Sequence, residues 1–344
     1  MRRRRILLIT DDVVFNGPDG PTARLASTRL RLLVALEALN AAGHQARLVA
    51  NTTPQHILHD HEFAKADCIL FGKVFHDYRE LAVAARSAGK TTCVDVTDDL
   101  QRYRLLAPMR ALVDVVDSVT VPSDELGRLV GEWTGHRLPV MRIVDPLEHA
   151  PARPGGDPCR APLRLLWFGS PTNARHLLPQ APGLAGLAER RPIELAIVST
   201  GERAFDGLLD RYHFSRGMKL QVRFVEWSPD AQRRELDHCD LVALPGDIEA
   251  DSGLKSANRL ITAIAAGRLA VASPLPSYRP FANHALLVDD MADGIEMARA
   301  MPVERHHAVL LAGQALIERD YARAVIGRHW VEALAGSRQP ALGS

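Results

Sequence analysis

Four cysteines in 344 residues, Cys68, Cys93, Cys159 and Cys239, are too few and too scattered for a disulfide framework. Three of them sit in or beside apolar runs, where a free thiol behaves as a small hydrophobe, and the pattern fits a reducing compartment. Aromatic residues at 5% are too sparse for base-stacking platforms, and a formal net charge of +1 builds no field that would gather nucleic acid. No apolar run is long enough to cross a bilayer. The stretch at 6–9 is too short for a signal-peptide core and precedes no small-residue cleavage site, so a cytoplasmic place is expected. The four arginines before it, at 2–5, read as a solvated chain start; the other reading is a weak grip on anionic lipid at the inner face of the membrane. Walker loops, Gly-x-Ser-x-Gly elbows and Gly-x-Gly-x-x-Gly turns are missing too, so kinase-like, hydrolase and dehydrogenase readings lack their defining loops.

What is present is alternation. Short β-branched runs take turns with longer segments of helical period, the pattern of βαβ units and parallel sheets. In the first half strands are expected at 6–10, 46–50, 68–73, 92–96, 118–122 and 140–144. In the second half they are expected at 163–168, 193–199, 221–227, 241–245, 269–272 and 285–288. Between the halves, PLEHAPARPGGDPCRAP (146–162) is dense in proline and glycine and has no period, as a linker would be. The length exceeds what one core usually supports. The expected plan is therefore an N-terminal Rossmann-like acceptor domain over 1–150, a linker over 151–162, a C-terminal Rossmann-like donor domain over 163–320, and a last helix over 321–344 crossing back. Two such doubly wound α/β domains facing across a cleft would place ligands in the loops that follow strands.

The most informative stretch is DLVALPGDIEADSGLKSANRLITAIAAGRLAVASPLPSY, 240–278. A strand ends at Pro245, an acidic glycine-bearing loop follows, and a helix is expected whose first turns carry Lys255, Ser256, Asn258 and Arg259 and which Gly267 closes. Helix-start N–H groups beside a lysine and an arginine suit a diphosphate; an ordinary α/β unit with a polar helix start is the plain alternative. The stretch resembles the nucleotide-sugar signature of family 4-like ("group 1") glycosyltransferases of the GT-B fold, with Ala257-Asn258 at the pair that opens the helix and 263–267 at its alanine-rich turn. VRFVEWSPDAQRRELDHCDLVALP (222–245) is similar to the preceding strand, turn, helix and strand of that family, which implies that backbone near Trp227 and Ser228 faces the base. LRLLWFGSPTNARHL resembles the opening of the donor domain and implies Gly169, Ser170 and Asn173 near the phosphates. CVDVTDDL and SVTVPSDELGRLV are similar to acidic-strand segments of the first domain. One departure stands out: where the family carries two glutamates this chain has Leu254 and Thr262, with Glu249 and Asp251 nearby.

In the first half, the long loop 11–26 empties into a helix that Ser27 is expected to cap and that ends at Gly43. Its STRLR segment is similar to the family's S-x-R-x-R and implies ligand contact for Arg29 ahead of Arg31; the alternative is a capped helix with solvated arginines. Asp95, Asp98 and Asp99 cluster at a strand end, where a carboxylate would orient an acceptor hydroxyl or take its proton, and neighbouring acids raise one another's pKa; turn and cap chemistry is the alternative. Lys73 and His76 follow another strand and are the nearest basic candidates to complete that wall; the alternative for His76 is a plain helix-start residue. His56, His59, Asp60 and His61 read as a surface helix rather than a metal site, and His306-His307 as a solvated helix face; no metal and no cofactor beyond a nucleotide diphosphate-sugar donor are expected.

The expected function is transfer of a sugar from such a donor to an acceptor, as in polysaccharide or glycoconjugate biosynthesis. The rivals are a GT-B sugar-nucleotide epimerase or hydrolase, and a partner subunit that kept the fold without the glutamates.

Overall fold

A computed structural model of the chain describes residues 2–17, 20–212, 219–249 and 251–336. They fall into two compact units: unit 1 holds the residues up to Pro146, Leu254–Ser256 and those from Asp320 on, and unit 2 holds Leu147–Gly253 and Ala257–Arg319.

Unit 1 contains β1 (Arg5–Thr10), a hairpin of β2 (Val14–Gly17) and β3 (Gly20–Ala23), then β4 (Gln45–Ala50), β5 (Cys68–Phe71), β6 (Thr91–Asp95), β7 (Ser118–Val121) and β8 (Val140–Arg142). Six of these form one parallel sheet in the order β4-β1-β5-β6-β7-β8. RILLIT and CILF become strands because their side chains are apolar on both faces: Ile6, Leu8, Cys68 and Leu70 face one helical layer, Leu7, Ile9, Ile69 and Phe71 the other. The last helix, Arg323–Ala335, belongs to this unit and lies against Leu33–Ala41, with Gly327 close on Ala38 and Arg323 paired to Glu37 (2.6 Å).

Unit 2 contains β9 (Leu163–Phe168), β10 (Ile193–Ser199), β11 (Leu220–Glu226), β12 (Leu241–Leu244), β13 (Leu269–Ala272) and β14 (Leu286–Leu287). All are parallel, in the order β11-β10-β9-β12-β13-β14. The helix Asn258–Ala265 buries Leu260, Ile261, Ala263 and Ile264 on one side, the 3.6-residue stripe its sequence shows. Gly267 stops it at φ +69°, and a Cβ there would lie 2.2 Å from the Arg153 carbonyl oxygen, so only glycine fits.

All twelve strands expected from the sequence are present. The β2–β3 hairpin was not expected; it lies in the 11–26 loop, with Pro18 and Asp19 outside the described residues. Ser27 is already in helical geometry and caps nothing; a π-helical stretch, Thr28–Leu32, opens this helix and turns Arg31 inward. The imidazoles of His56 and His59 share no helix face, because Pro54–Leu58 ends before His59 and a second short helix, His61–Lys65, begins after Asp60 caps it. His306 is not solvated: it is buried in Val303–Asp320, and burial lowers its pKa. Cys68, Cys93 and Cys239 are buried as expected, and burial pushes the Cys93 and Cys239 thiols up to about 12, which keeps them unreactive. Among the described residues no helix is long and apolar enough to cross a membrane.

Candidate functional site

In an open parallel sheet the ligand crevice opens beyond the carboxyl ends of the strands where the chain reverses its direction of winding. In unit 2 the chain winds from β9 through β10 to β11 on one side, then returns to β12 and continues to β14 on the other. The reversal lies between β9 and β12, and Gly169 is the first residue after β9. Its amide donates to Val198 O (3.2 Å) and its carbonyl accepts from Ser199 Oγ (2.7 Å), so its own backbone groups are already paired. Its contribution is space: a Cβ at 169 would lie 3.3 Å from Arg259 Nη1 and 3.4 Å from the Trp167 ring. The structure thus brings together Gly169 and Arg259, two residues ninety positions apart that the sequence assigns to one phosphate site.

Arg259 lies in the first turn of Asn258–Ala265, whose cap residue, Ala257, has no side chain to cover the helix-start N–H groups. Its Nη1 is buried and has no hydrogen-bond partner among the described residues, and the same holds for Trp167 Nε1. Tyr278 is fully buried, which raises its pKa; Arg259 beside its hydroxyl opposes that rise. A buried guanidinium nitrogen without an acceptor is costly, and an anion's oxygen removes the cost. Ser170 Oγ shares a hydrogen bond with Thr172 (3.1 Å), and Asn173 closes the turn after it through its amide to the Ser170 carbonyl (2.9 Å). Trp227 Nε1 donates to Gln232 (2.8 Å), and Ser228 caps Pro229–His238 by accepting from the Ala231 amide (3.0 Å). Asn258 contributes its carbonyl to Thr262 Oγ1 (2.8 Å).

Lys255 and Ser256 lie before this helix rather than in its first turn, and they belong to unit 1. The Lys255 ammonium donates to Asp98 Oδ1, Lys73 donates to Asp98 Oδ2, and Thr97 Oγ1 adds a bond to Oδ2 (3.1 Å). Burial disfavours the charged Asp98, but Lys255 and Lys73 outweigh it and hold the carboxyl well below the usual range. The expectation of an acid raised toward base strength by its neighbours is corrected here, because two ammonium groups, not Asp95 or Asp99, stand against Asp98. Asp99 instead accepts from the Gln101 amide (3.0 Å) in a turn.

Asp95 is buried, with its oxygens taken by Arg31 Nε (2.7 Å), Arg31 Nη2 (2.8 Å) and Thr120 Oγ1 (2.7 Å). Arg31 also donates to the Ile143 carbonyl (2.5 Å) and Asp145 Oδ1 (2.9 Å), and its guanidinium lies 5.3 Å from the Trp330 ring. Asp145 in turn accepts from Ser256 Oγ. Arg31, far from solvated, is thus the centre of a buried network, and Asp95 serves that network. Arg29, the favoured ligand contact, donates to the carbonyls of Ala23 (3.1 Å) and Arg24 (2.9 Å). Asp145 and Tyr278 were not expected at all. Asp11 was missed as well, although an acid directly after the first strand of a sheet was a legible signal.

Asp11 follows β1 and gathers the loop after β5. It accepts from the Phe75 and His76 amides, the latter at 2.8 Å, and from the Tyr78 hydroxyl (2.7 Å), and its Oδ2 lies 3.0 Å from His76 Nδ1. Leu254 packs its side chain into the unit 1 core and gives its carbonyl to Ser123 Oγ (2.6 Å), and Thr262 bonds within its helix; neither position offers a carboxylate. The Asp251 side chain lies outside the described ones. No group of metal-ligating side chains occurs among the described residues.

The Asp98 arrangement carries a pH signature. A folded-state pKa held below the unfolded value of about 3.9 gives stability that is complete above that pH and lost as pH falls through the folded value. Asp98→Asn is therefore expected to be less stable than the wild type at pH 6. In urea unfolding the gap should narrow steadily below about pH 4; a gap unchanged at pH 3 contradicts the pairing.

No protein-family model matches the chain, and no curated protein matches its sequence. Solved structures do. HepE of Anabaena, solved with UDP and glucose, aligns with a TM-score of 0.66 at 14% identity over 96% of this chain and 99% of its own. A glycosyltransferase of Rickettsia africae aligns with a TM-score of 0.69 at 11% identity over 97% and 98%. The UDP-forming α,α-trehalose-phosphate synthase of Burkholderia vietnamiensis aligns with a TM-score of 0.64 at 11% identity over 98% and 99%. With a parallel six-stranded sheet in each of two Rossmann-like units, and a match along nearly the whole of these chains, this polypeptide has the GT-B glycosyltransferase fold.

Proposed function

We propose that this chain transfers a glycosyl group from a nucleoside diphosphate-sugar to an acceptor hydroxyl. The carrying observation is Arg259 Nη1, without a hydrogen-bond partner among the described residues, beside Gly169 at the uncapped start of a helix and at the winding reversal of unit 2. A diphosphate oxygen there meets positive charge from the guanidinium and from the helix start. As the glycosidic bond to the donor breaks, negative charge grows on the leaving diphosphate, and fixed positive groups lower that barrier. Two structures of HepE, one bound to UDP and one to UDP and glucose, support this chemistry for a chain of the same fold. The backbone turns at Ser170, Asn173, Trp227 and Ser228 are the elements of unit 2 that we assign to the phosphates and base.

In unit 1 we assign Lys73, Lys255 and Asp98 to electrostatics rather than proton transfer. A carboxylate held ionised between two ammonium groups is a poor base, and the trio keeps one net positive charge. Leu254 and Thr262 favour a second reading, a GT-B relative altered in its chemistry that binds nucleotide without transfer. The first test is a thermal-shift titration of the full chain with UDP, GDP and ADP. A ligand that binds only the folded state at a hundredfold excess over Kd adds about 2.7 kcal/mol, so one of the three is expected to raise Tm by a few degrees. No shift with any of them at millimolar concentration sinks both readings. A shift without turnover of the matching nucleotide sugar, with or without acceptors, favours the second.

A further inference from the structure

Two cavities of unit 1 open at the amino ends of its parallel strands, away from the carboxyl ends where a sheet of this kind takes its ligand. The first, about 370 Å³, is lined by Arg5, Arg47, Lys65 and Glu62 among others; the second, about 410 Å³, by Arg86, Lys90 and Asp117. They adjoin, because Lys90 of the second donates to the carbonyl of Ala66 in the first (2.8 Å). In the register of β1 and β4, Leu7 stands opposite Arg47, so Arg5, Leu7 and Arg47 share one face of the sheet. Phe63 of the helix His61–Lys65 joins Leu7 and Ile9 in the core on that face, whereas Arg5, Arg47 and Lys65 stay exposed at its margin.

Arg2 and Arg3 are exposed directly before β1. Among the described residues neither they nor the side chains of Arg5, Lys65 and Lys90 have a carboxylate partner: Arg5 Nε donates to Gln45 (3.0 Å) and Lys90 only to carbonyls. Arg47 stands 3.6 Å from Glu62, Arg86 pairs with Asp117 (2.9 Å), and Asp67 accepts from the Arg5 amide (2.8 Å). Seven basic side chains thus meet three acidic ones, an excess of four positive charges in a chain whose net charge is +1. The charge is spread over the starts of four neighbouring strands, roughly 14 Å across at the usual strand spacing. A single phosphate cannot span that width, and a plane of phosphate headgroups can.

We infer that the amino-end face of unit 1 docks on a membrane surface bearing anionic lipid headgroups. The hold is electrostatic, because Val83 is the only large exposed hydrophobic among the residues lining the two cavities. Docking by this face leaves the carboxyl ends of the unit 1 strands turned away from the bilayer, and it stands whether or not the chain transfers sugars.

The full chain is expected to sediment with vesicles of phosphatidylcholine and phosphatidylglycerol at about 0.1 M salt, and to be released at about 1 M, where the Debye length falls from about 10 to about 3 Å. With phosphatidylcholine alone it should stay in solution. Arg47→Gln with Lys65→Gln should weaken vesicle binding about 30-fold, at roughly fivefold for each basic residue near an anionic surface, with Tm unchanged. Arg233→Gln with Arg234→Gln, exposed on a unit 2 helix, lowers net charge equally and should bind as the wild type does. Equal loss in both pairs, no loss in the first, or no binding to the anionic vesicles overturns the inference. So does an oligonucleotide that binds as tightly as the vesicles. A Tm rise with inorganic phosphate that Arg47→Gln with Lys65→Gln abolishes, without vesicle binding, assigns the first cavity to a free anion instead.

Discussion

Replacing Arg31 with methionine is expected to cost about 3–5 kcal/mol, because it strands carboxylates that burial leaves without water. Arg31 is 1% exposed and holds Asp95 and Asp145 at once. Burial disfavours its charge, yet the two aspartates outweigh that and hold its pKa above the ordinary arginine range. Methionine fills much of the same volume, so the loss is electrostatic rather than a cavity. Urea unfolding followed by tryptophan fluorescence locates the effect, since Trp133 and Trp330 report on unit 1 and Trp167 and Trp227 on unit 2. The unit 1 signal should move and the unit 2 signal should not. Adding Asp95→Asn to Arg31→Met should recover part of the loss, because one uncompensated charge is gone. A loss below about 1 kcal/mol would mean that water reaches the aspartates and that the network carries little.

That network marks the boundary of what could be read in the sequence. Apolar runs such as ILLI and LVAL fix strands through their own composition, and all twelve parallel strands could be placed from such runs. The β2–β3 hairpin could not, because its VFNG and GPTA segments are largely uncovered and lack the alternation that one buried face imposes. Arg31 sits in STRLRLL with nothing local to distinguish it from a solvated arginine. Its burial depends on partners 64 and 114 positions away. Lys255 fails the same way: a lysine just before a helix reads as part of the helix start, yet its partner Asp98 is 157 positions distant. Gly169 and Arg259 were assigned to one site through resemblance, not periodicity. His306 was misread because its neighbours Glu304, Arg305 and His307 are polar, while its own position falls on the buried stripe with Leu310 and Ile317.

Arg259→Ala is expected to weaken binding of whichever nucleotide diphosphate shifts Tm by about 10- to 150-fold, the range that follows from losing a charge-assisted bond of about 1.5–3 kcal/mol. The size of its effect on stability separates a ligand contact from a structural one. A buried nitrogen that already bonded to protein would leave an orphan when removed and destabilise the fold. Nη1 has no such bond among the described residues, so the Tm of the unliganded variant should fall only by what the buried Tyr278 hydroxyl loses with the guanidinium. Calorimetric titration and thermal unfolding of the same sample give both readings. Gly169→Ala tests the same geometry from the other side. Its added carbon would press on Arg259 Nη1 at 3.3 Å and on Trp167 at 3.4 Å, so it should weaken nucleotide binding without removing any charge. Because both variants act on one nitrogen, the double variant should lose little more than Arg259→Ala alone. Additive losses would place the nucleotide's contacts with Gly169 and with Arg259 apart, and the shared phosphate site would fall.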